Sequence, residues 1–280
     1  MSVSDFTSII NQLLPEPHAG LLAGILFGVK TSLDPSLKDA LIKTGTLHII
    51  ALSGMNITIL TAIVETGLLW FFPRKIAALA AIAVIAGFIW FVGPSASIVR
   101  AGIMAGIAGI GILLGKPVWA LWSWGVAVIL MLMIQPLWIL DLSFQLSVLA
   151  SLGMILFGGH PHGAFYHPAK NSAKKDILRF IDSLKNMILV DLRTTLAAQT
   201  LTIPLLFFTF GRLSFISPLT NVCIVWTLPI VTVLGFLVSI TGYFFLPVGQ
   251  VFAWFSWVFL EYIIHIITWT SRIPGASVGT

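Results

Sequence analysis

The feature that most limits the fold of this chain is a series of long apolar segments with almost no charged residues. The clearest of them span residues 47–72, 76–92, 97–114 and 248–270. A helix needs about 20 apolar residues to cross about 30 Å of hydrocarbon. Soluble domains carry about 25% charged residues, whereas this chain has 9%. The sequence therefore predicts an all-α fold, a polytopic transmembrane helical bundle in contact with the lipid bilayer.

Proline and glycine divide the apolar sequence into separate segments. Further segments are predicted at 118–134, 137–158, 193–210 and 215–245. The last of these contains Pro218 and Pro229, and proline breaks or kinks a helix. We therefore expect seven to nine membrane segments, some of them broken or interfacial.

The N-terminal part of the chain differs from the rest. In residues 1–46 a short apolar stretch follows Pro15-Glu16-Pro17, and Asp34-Pro35 opens an amphipathic helix. This pattern predicts an N-terminal interfacial segment over 1–46, followed by a transmembrane domain over 47–272. A polar stretch at about 159–192 interrupts that domain and is predicted to be a loop.

The basic residues predict an orientation. Loops that keep Lys and Arg stay on the cytoplasmic side. Arg74, Lys75, Lys116 and the 159–192 loop fall on one side of the predicted bundle, whereas Arg212 falls on the other. We expect a multi-pass protein of the bacterial cytoplasmic membrane, and this loop bias accounts for the net charge of +5.

Polar residues at membrane depth are the candidates for function, because an unpaired polar or charged group there is costly. They form four groups along the chain: His48, Ser53, Gly54 and Asn56; Ser95, Ser97 and Arg100; Asp141, Gln145 and Ser147; and Gln199, Arg212 and Asn221. Such residues either join helices by hydrogen bonds or line a wet path for a solute. The residues alone leave both interpretations open.

Arg100 is the most informative of these residues. Its guanidinium keeps its charge in proteins. Arg100 is therefore expected either to pair with a carboxylate such as Asp141 or to face an aqueous cavity.

Signs of catalysis or metal binding are weak. His160, His162 and His167 lack the neighbouring carboxylates of a hydrolytic zinc site. His48 and Ser53 would lie about 140° apart on one helix and do not form a dyad. Glu261 and His265 are spaced to pair with each other one helical turn apart. We predict no catalytic residue, no metal and no cofactor.

The polar groups match a known set of motifs in order. These are Leu14-Pro15-Glu16-Pro17, His48-Ile49-Ile50-Ala51-Leu52-Ser53-Gly54, Pro94-Ser95 with Arg100-Ala101-Gly102, Phe144-Gln145-Leu146-Ser147, Ala197-Ala198-Gln199 with Pro204, Phe210-Gly211-Arg212, and Pro218-Leu219-Thr220-Asn221. Together, from about Leu14 to Pro274, they resemble the membrane competence domain of the ComEC family, bacterial inner-membrane channels for DNA uptake. The family motif usually has a His where this chain has Asn56.

The resemblance implies a channel that passes single-stranded DNA into the cytoplasm during natural transformation. It also implies an external DNA receptor and a cytoplasmic ATP-dependent motor as partners, and it is compatible with an oligomer. Longer family members carry an oligonucleotide-binding fold and a nuclease domain. Neither fits within these 280 residues, so enzyme activity is not expected. A transporter of ions or small solutes and an intramembrane enzyme remain the alternatives.

Overall fold

The computed structural model describes residues 2–29, 33–50, 54–158, 176–210, 213–214, 216–273 and 277–278. This part of the chain is almost entirely helical, as the sequence predicts. Its one departure is a pair of two-residue strands, β1 (Leu213–Ser214) and β2 (Ser277–Val278), which run antiparallel with Leu213 opposite Val278.

The N-terminal segment forms three short helices and a turn. They are α1 (Val3–Leu13), α2 (His18–Phe27), α3 (Pro35–Lys43) and a 3₁₀ turn at Leu47–Ile49. Gly28 ends α2 in the left-handed conformation with φ of 70°, which glycine adopts without steric cost. Pro35 begins α3 at a position where its missing N–H is not needed.

Five helices follow in the central part of the chain. They are α4 (Gly54–Leu69), α5 (Arg74–Val92), α6 (Ala96–Leu114), α7 (Ala120–Ile134) and, after a 3₁₀ turn at Pro136–Leu140, α8 (Leu142–Phe157). The carboxylate of Asp141 accepts a 2.9 Å hydrogen bond from the N–H of Ser143 and so caps the start of α8.

The C-terminal part contains the longest helices. They are α9 (Asp176–Phe210), α10 (Ser217–Val225), α11 (Leu228–Phe244) and α12 (Leu246–Ser271). Residues 176–192, predicted as part of a polar loop, form the first half of α9. A bend of 52° separates α10 from α11, next to Pro229. This bend is the break that the sequence predicts within 215–245.

The predicted number of membrane segments is wrong. Among the described residues, three helices are long and apolar enough to span a membrane, namely α5, α6 and α12, and the bent pair α10–α11 makes a fourth if it crosses as one unit. The helices α2, α7 and α8 are apolar but have 10 to 16 residues. A 16-residue helix extends only about 24 Å, which is less than the hydrocarbon thickness.

Large apolar side chains cover the outer surface. Trp70, Trp90, Trp119 and Phe208 are each more than 70% exposed. Exposure of so much aromatic surface to water is unfavourable, whereas its contact with lipid tails and headgroups is favourable. The exposed surface, together with the apolar helices, identifies a helical membrane protein.

The buried side chains form three clusters. The largest joins α1, α2 and α3 to α10, α11 and α12. A second joins α4, α5 and α6, and a third joins α6, α7 and α8. The N-terminal helices therefore share a core with the last three helices of the chain.

Small residues set the closest helix contacts. A Cβ added to Gly153 on α8 would lie 2.3 Å from the carbonyl oxygen of Ala197 on α9. Four residues later on α8, the Phe157 carbonyl accepts a hydrogen bond of 3.3 Å from Arg193 Nε, four residues earlier on α9. The partners thus advance in opposite directions, and α8 and α9 pack antiparallel.

This contact makes a testable prediction with a matched control. Gly153→Ala is expected to destabilise the protein by about 1–3 kcal/mol, because the new methyl meets backbone rather than a movable side chain. Gly125→Ala on α7, where nothing lies within 4 Å, is expected to be neutral or to stabilise by up to about 1 kcal/mol. Thermal unfolding of the purified proteins in detergent measures both. Equal midpoints would contradict the close α8–α9 contact.

Candidate functional site

Arg100 occupies the second turn of α6 and is only 9% exposed. Its Nε donates a hydrogen bond of 2.9 Å to Ser147 Oγ on α8, and its Nη1 lies 3.6 Å from the sulfur of Met104. In the described part of the chain it has no carboxylate partner. The structure thus buries a cation whose bonded partners among the described residues are all uncharged.

Ser147 extends this contact to a third side chain. Its hydroxyl accepts from Arg100 and donates over 3.2 Å to Ser97 Oγ. Ser97, Arg100 and Ser147 make up what we call the arginine network. Ser97 and Arg100 fall in one polar group of the sequence and Ser147 in another, and the packing of α6 against α8 brings them together.

The arginine network retains capacity to bind an anion. A guanidinium has five N–H donors, and the described residues engage Nε and one Nη1 donor. The start of α6 carries the positive end of the helix dipole, which also favours an anion. The Ser95 hydroxyl, at the N-cap position of α6, is buried and has no partner in the described part of the chain.

Asp141 and Gln145 do not join this network. Asp141 is exposed and caps α8 through Ser143. Gln145 Nε2 donates a 2.8 Å hydrogen bond to the carbonyl of Ile139 and ties the preceding 3₁₀ turn to α8. Of the two alternatives predicted for Arg100, pairing with Asp141 is therefore not found, because the Asp141 carboxylate caps its own helix instead.

A second network surrounds His48. Its Nδ1 lies 3.1 Å from the carbonyl oxygen of Gly45, and its ring also reaches the side chain of Asn221 on α10. Asn221 Nδ2 in turn donates a hydrogen bond of 2.7 Å to Thr195 Oγ1 on α9. We call His48, Thr195 and Asn221 the amide network.

Gln199 lies next to the amide network, one turn after Thr195 on α9. Its Nε2 donates a 3.0 Å hydrogen bond to Ser217 Oγ at the start of α10. Ser217 is packed against Gly45, where an added Cβ would lie 3.0 Å from it. Gly45 has a φ of 68°, so a side chain there would be strained as well as crowded.

The residues predicted from the sequence do not include Gly45, Thr195 and Ser217. A signal existed for Thr195, since it precedes Gln199 by four residues and shares its helix face. No comparable signal marked Gly45 or Ser217, because their role depends on a contact between sequence-distant segments.

The register of α8 and α9 relates the arginine network to the Gln199–Ser217 contact. Counting from the Gly153–Ala197 and Phe157–Arg193 contacts, Gln199 lies level with Ser151. Ser147 is one turn farther along α8, a rise of about 6 Å. The arginine network and the Gln199–Ser217 contact therefore lie within about one helical turn of each other along the α8–α9 pair.

A groove of about 470 Å³ borders the same helix pair. It is lined by Phe157, Leu189, Leu192, Arg193, Leu196, Ala197 and Thr200. Its lining is mostly apolar, and neither Arg100 nor Gln199 belongs to it. The polar networks are thus hydrogen-bonded helix contacts beside this groove rather than part of its wall.

Several predicted residues cannot be placed in this way. Ser53 and Arg212 lie outside the described residues, as do the histidines between 160 and 167. Gly54 begins α4 and Asn56 lies in its first turn, where the structure describes the backbone alone. Among the described residues, no three His, Cys, Asp or Glu side chains form a metal-binding group.

Comparison with known proteins supplies the context for these networks. The chain is 25% identical over 273 residues to ComE operon protein 3 of Bacillus subtilis (strain 168). The alignment covers 95% of this chain and 31% of that protein, so the chain spans about a third of the relative's length. No solved structure matches the chain. The model of the Competence protein family, which is not in itself an enzyme family, matches residues 25–280, and this chain therefore belongs to the Competence protein family.

Proposed function

We propose that this chain is a channel domain that passes single-stranded DNA across the bacterial inner membrane during natural transformation. Membership of the Competence family and the similarity to ComE operon protein 3 support a role in DNA uptake. The single observation that carries the channel proposal is Arg100, a buried cation without a carboxylate partner among the described residues.

A phosphate is the ligand that best fits Arg100. Burying an unpaired charge costs several kcal/mol, so a site of this kind is completed by an incoming anion. Guanidinium matches the geometry of phosphate oxygens with two parallel N–H donors. Ser147 fixes the guanidinium through Nε, which leaves Nη2 without a partner in the described part of the chain.

The uncharged residues suit the rest of the path. A conduit must bind a strand strongly enough to admit it and weakly enough to release it. The amide network and Gln199 offer hydroxyl, amide and imidazole groups, which contact sugars and bases without adding fixed charge. In this proposal Arg100 recognises the backbone, and Ser97, Ser147, Gln199, Asn221 and His48 line the path.

The remaining candidate residues take other roles in the proposal. Asp141 and Gln145 hold the first turn of α8 and so position Ser147. Ser95 adds a buried hydroxyl beside Ser97. Ser53, Gly54, Asn56 and Arg212 remain proposed lining residues because they fall in the polar groups at predicted membrane depth, and Ser53, Gly54 and Arg212 also belong to the family motifs.

The proposed channel needs partners. The family resemblance implies an external DNA receptor and a cytoplasmic ATP-dependent motor, and no nucleotide-binding loop occurs in this sequence. We propose both partners, and assembly in the inner membrane, with an oligomer compatible with this arrangement.

A transporter of small anions is the second candidate, because the same buried guanidinium would bind an inorganic anion. A version that couples transport through an Arg100–Asp141 pair loses support, since Asp141 caps α8 instead. An intramembrane enzyme that uses His48 or Asp141 is the remaining alternative; the two residues take part in separate hydrogen-bonded contacts. Uptake of labelled DNA separates the channel from an anion transporter.

Substitution of Arg100 tests the phosphate role. In a deletion strain complemented with the full gene, Arg100→Leu is expected to lower cytoplasmic uptake of labelled DNA at least about 30-fold, equivalent to about 2 kcal/mol for a lost buried charge contact. Arg100→Lys keeps the charge without the planar fork and is expected to retain part of the uptake.

Asp141→Asn is the matched control for Arg100. Asparagine caps a helix as well as aspartate does. DNA uptake by this variant is therefore expected to stay within about twofold of the wild-type value. The amount of each variant in the membrane fraction is measured in parallel. Normal uptake in Arg100→Leu at wild-type abundance would overturn the channel proposal.

Two substitutions at Gln199 distinguish a role in lining the DNA path from a role in helix packing alone. Gln199→Met removes the hydrogen bond to Ser217, which costs on the order of 1 kcal/mol of stability in a membrane bundle. Gln199→Glu can still accept a hydrogen bond from Ser217 but adds a negative charge that repels phosphates. If DNA passes here, uptake per folded molecule falls much further in the Glu variant. Equal uptake per folded molecule in both variants would assign Gln199 to helix packing alone.

A further inference from the structure

Helix α2 is unusual because all ten of its residues are buried. It packs against α1, α11 and α12, and Leu22 and Leu26 fill the space above Gly235 on α11. Its first residue is His18, only 7% exposed. A polar ring thus begins a helix that is otherwise apolar and enclosed on all sides.

His18 is held by a residue from the far end of the chain. Its Nε2 lies 2.7 Å from Glu261 Oε2 on α12, and its ring centroid lies 5.4 Å from that of Trp257. The sequence prediction that Glu261 pairs with His265 is therefore wrong, because the packing of α2 against α12 brings His18 closer. His265 is exposed.

The pair lies within the membrane-spanning part of α12. Glu261 is about 22 Å from the start of that helix and about 15 Å from its end. The Gly242–Gly249 contact sets the register of the α11–α12 hairpin and places Glu261 level with the first turn of α11. Tyr262 donates a hydrogen bond of 3.0 Å to the carbonyl of Cys223 at the end of α10. The pair therefore lies beside the break between α10 and α11.

One nitrogen of the His18 ring has no hydrogen-bond partner among the residues that the structure describes. Because the Glu261 carboxylate accepts, we assign the ring hydrogen to Nε2. His18 Nδ1 then carries a lone pair, and this nitrogen is buried without a hydrogen bond in the described part of the chain. A buried, unbonded ring nitrogen packed against a membrane-spanning helix is uncommon and points to a functional role.

We propose that the His18–Glu261 pair is a proton-binding site inside the membrane-spanning region. A hydronium ion gives a proton to the lone pair of Nδ1: an N–H bond forms, one O–H bond of the hydronium breaks and leaves water, and the charge of the pair changes from −1 to 0. The new Nδ1–H is a buried donor without an acceptor, which is costly. Water must therefore enter to deliver the proton and to solvate the N–H, so proton uptake and loosening of the first turn of α2 are one event.

Glu261 is the more open group of the pair. Its side chain is 44% exposed, whereas that of His18 is 8% exposed. The carboxylate contacts Nε2, whereas Nδ1 is the enclosed nitrogen. Water therefore reaches Nδ1 only when the first turn of α2 loosens.

The other charged groups of the described residues form no bond to His18 or Glu261. Glu16 accepts a hydrogen bond from the N–H of Gly20 at the start of α2, and Lys43 pairs with Asp39 on α3. The further titratable groups on the helices packed around the pair are Asp5, Lys38, Cys223, Tyr243, Tyr262 and His265. Within the described part of the chain, the side chains of His18 and Glu261 form hydrogen bonds only with each other.

Nitrogen-15 NMR of histidine-labelled protein in nanodiscs tests the proposal without DNA. The chain has six histidines. One imidazole, absent from the spectrum of His18→Gln, is expected to take up a proton at Nδ1 as the pH falls. The exchange protection of the α2 amides, corrected for intrinsic pH effects, is expected to fall at least about tenfold over the same pH range, equivalent to about 1.4 kcal/mol.

Matched variants complete this test. Glu261→Gln is expected to remove the shared transition, and His265→Gln, one turn away on the same helix, is expected to leave it unchanged. If His18→Gln does not fold, removal of the other five histidines one at a time assigns the wild-type His18 signal. A His18 ring that keeps one protonation state while α2 stays equally protected, across the pH range in which the protein is folded, would overturn the proposal.

Discussion

In lipid no water is available for buried polar groups, so each of them must find a partner within the protein. This constraint organises the polar contacts of the chain. Many hydroxyls satisfy it locally, as Thr202, Thr232 and Thr270 do by donating to carbonyls four residues earlier on their own helices. Groups that cannot do so must reach across to another helix. Arg100, Asn221 and His18 are of this second kind, and each of them joins segments that are far apart in the sequence.

The same constraint accounts for the broken helices. A helix end inside the bundle leaves carbonyls without partners. At the break between α10 and α11, the Thr227 hydroxyl donates to the carbonyl of Ile224 and the Tyr262 hydroxyl donates to that of Cys223. At the start of α2, the Glu16 carboxylate accepts the N–H of Gly20. Side chains from neighbouring segments thus stabilise irregular backbone at positions where lipid could not.

The α8–α9 pair connects the two polar networks. The absence of a side chain at Gly153 lets α9 approach until its backbone touches α8. Ser147 on α8 holds Arg100, and Gln199 on α9 holds Ser217, and the shared register keeps them within about one turn. In the proposed channel, this pair would transmit any movement of the arginine network to the contacts around Gln199.

The sequence by itself determined the membrane class, the helical content, most helix ends and the family, because apolar length, proline and glycine act locally. It also identified Arg100, Ser147, Gln199 and Asn221 as the polar residues of interest. It could not determine their partners. Tertiary packing placed Arg100 on Ser147 rather than Asp141, and Glu261 on His18 rather than His265. It also decided which apolar segments were too short to span. The physical reason is that a buried polar group bonds with whatever helix packing brings within about 3 Å, and spacing along one helix does not record which helices meet.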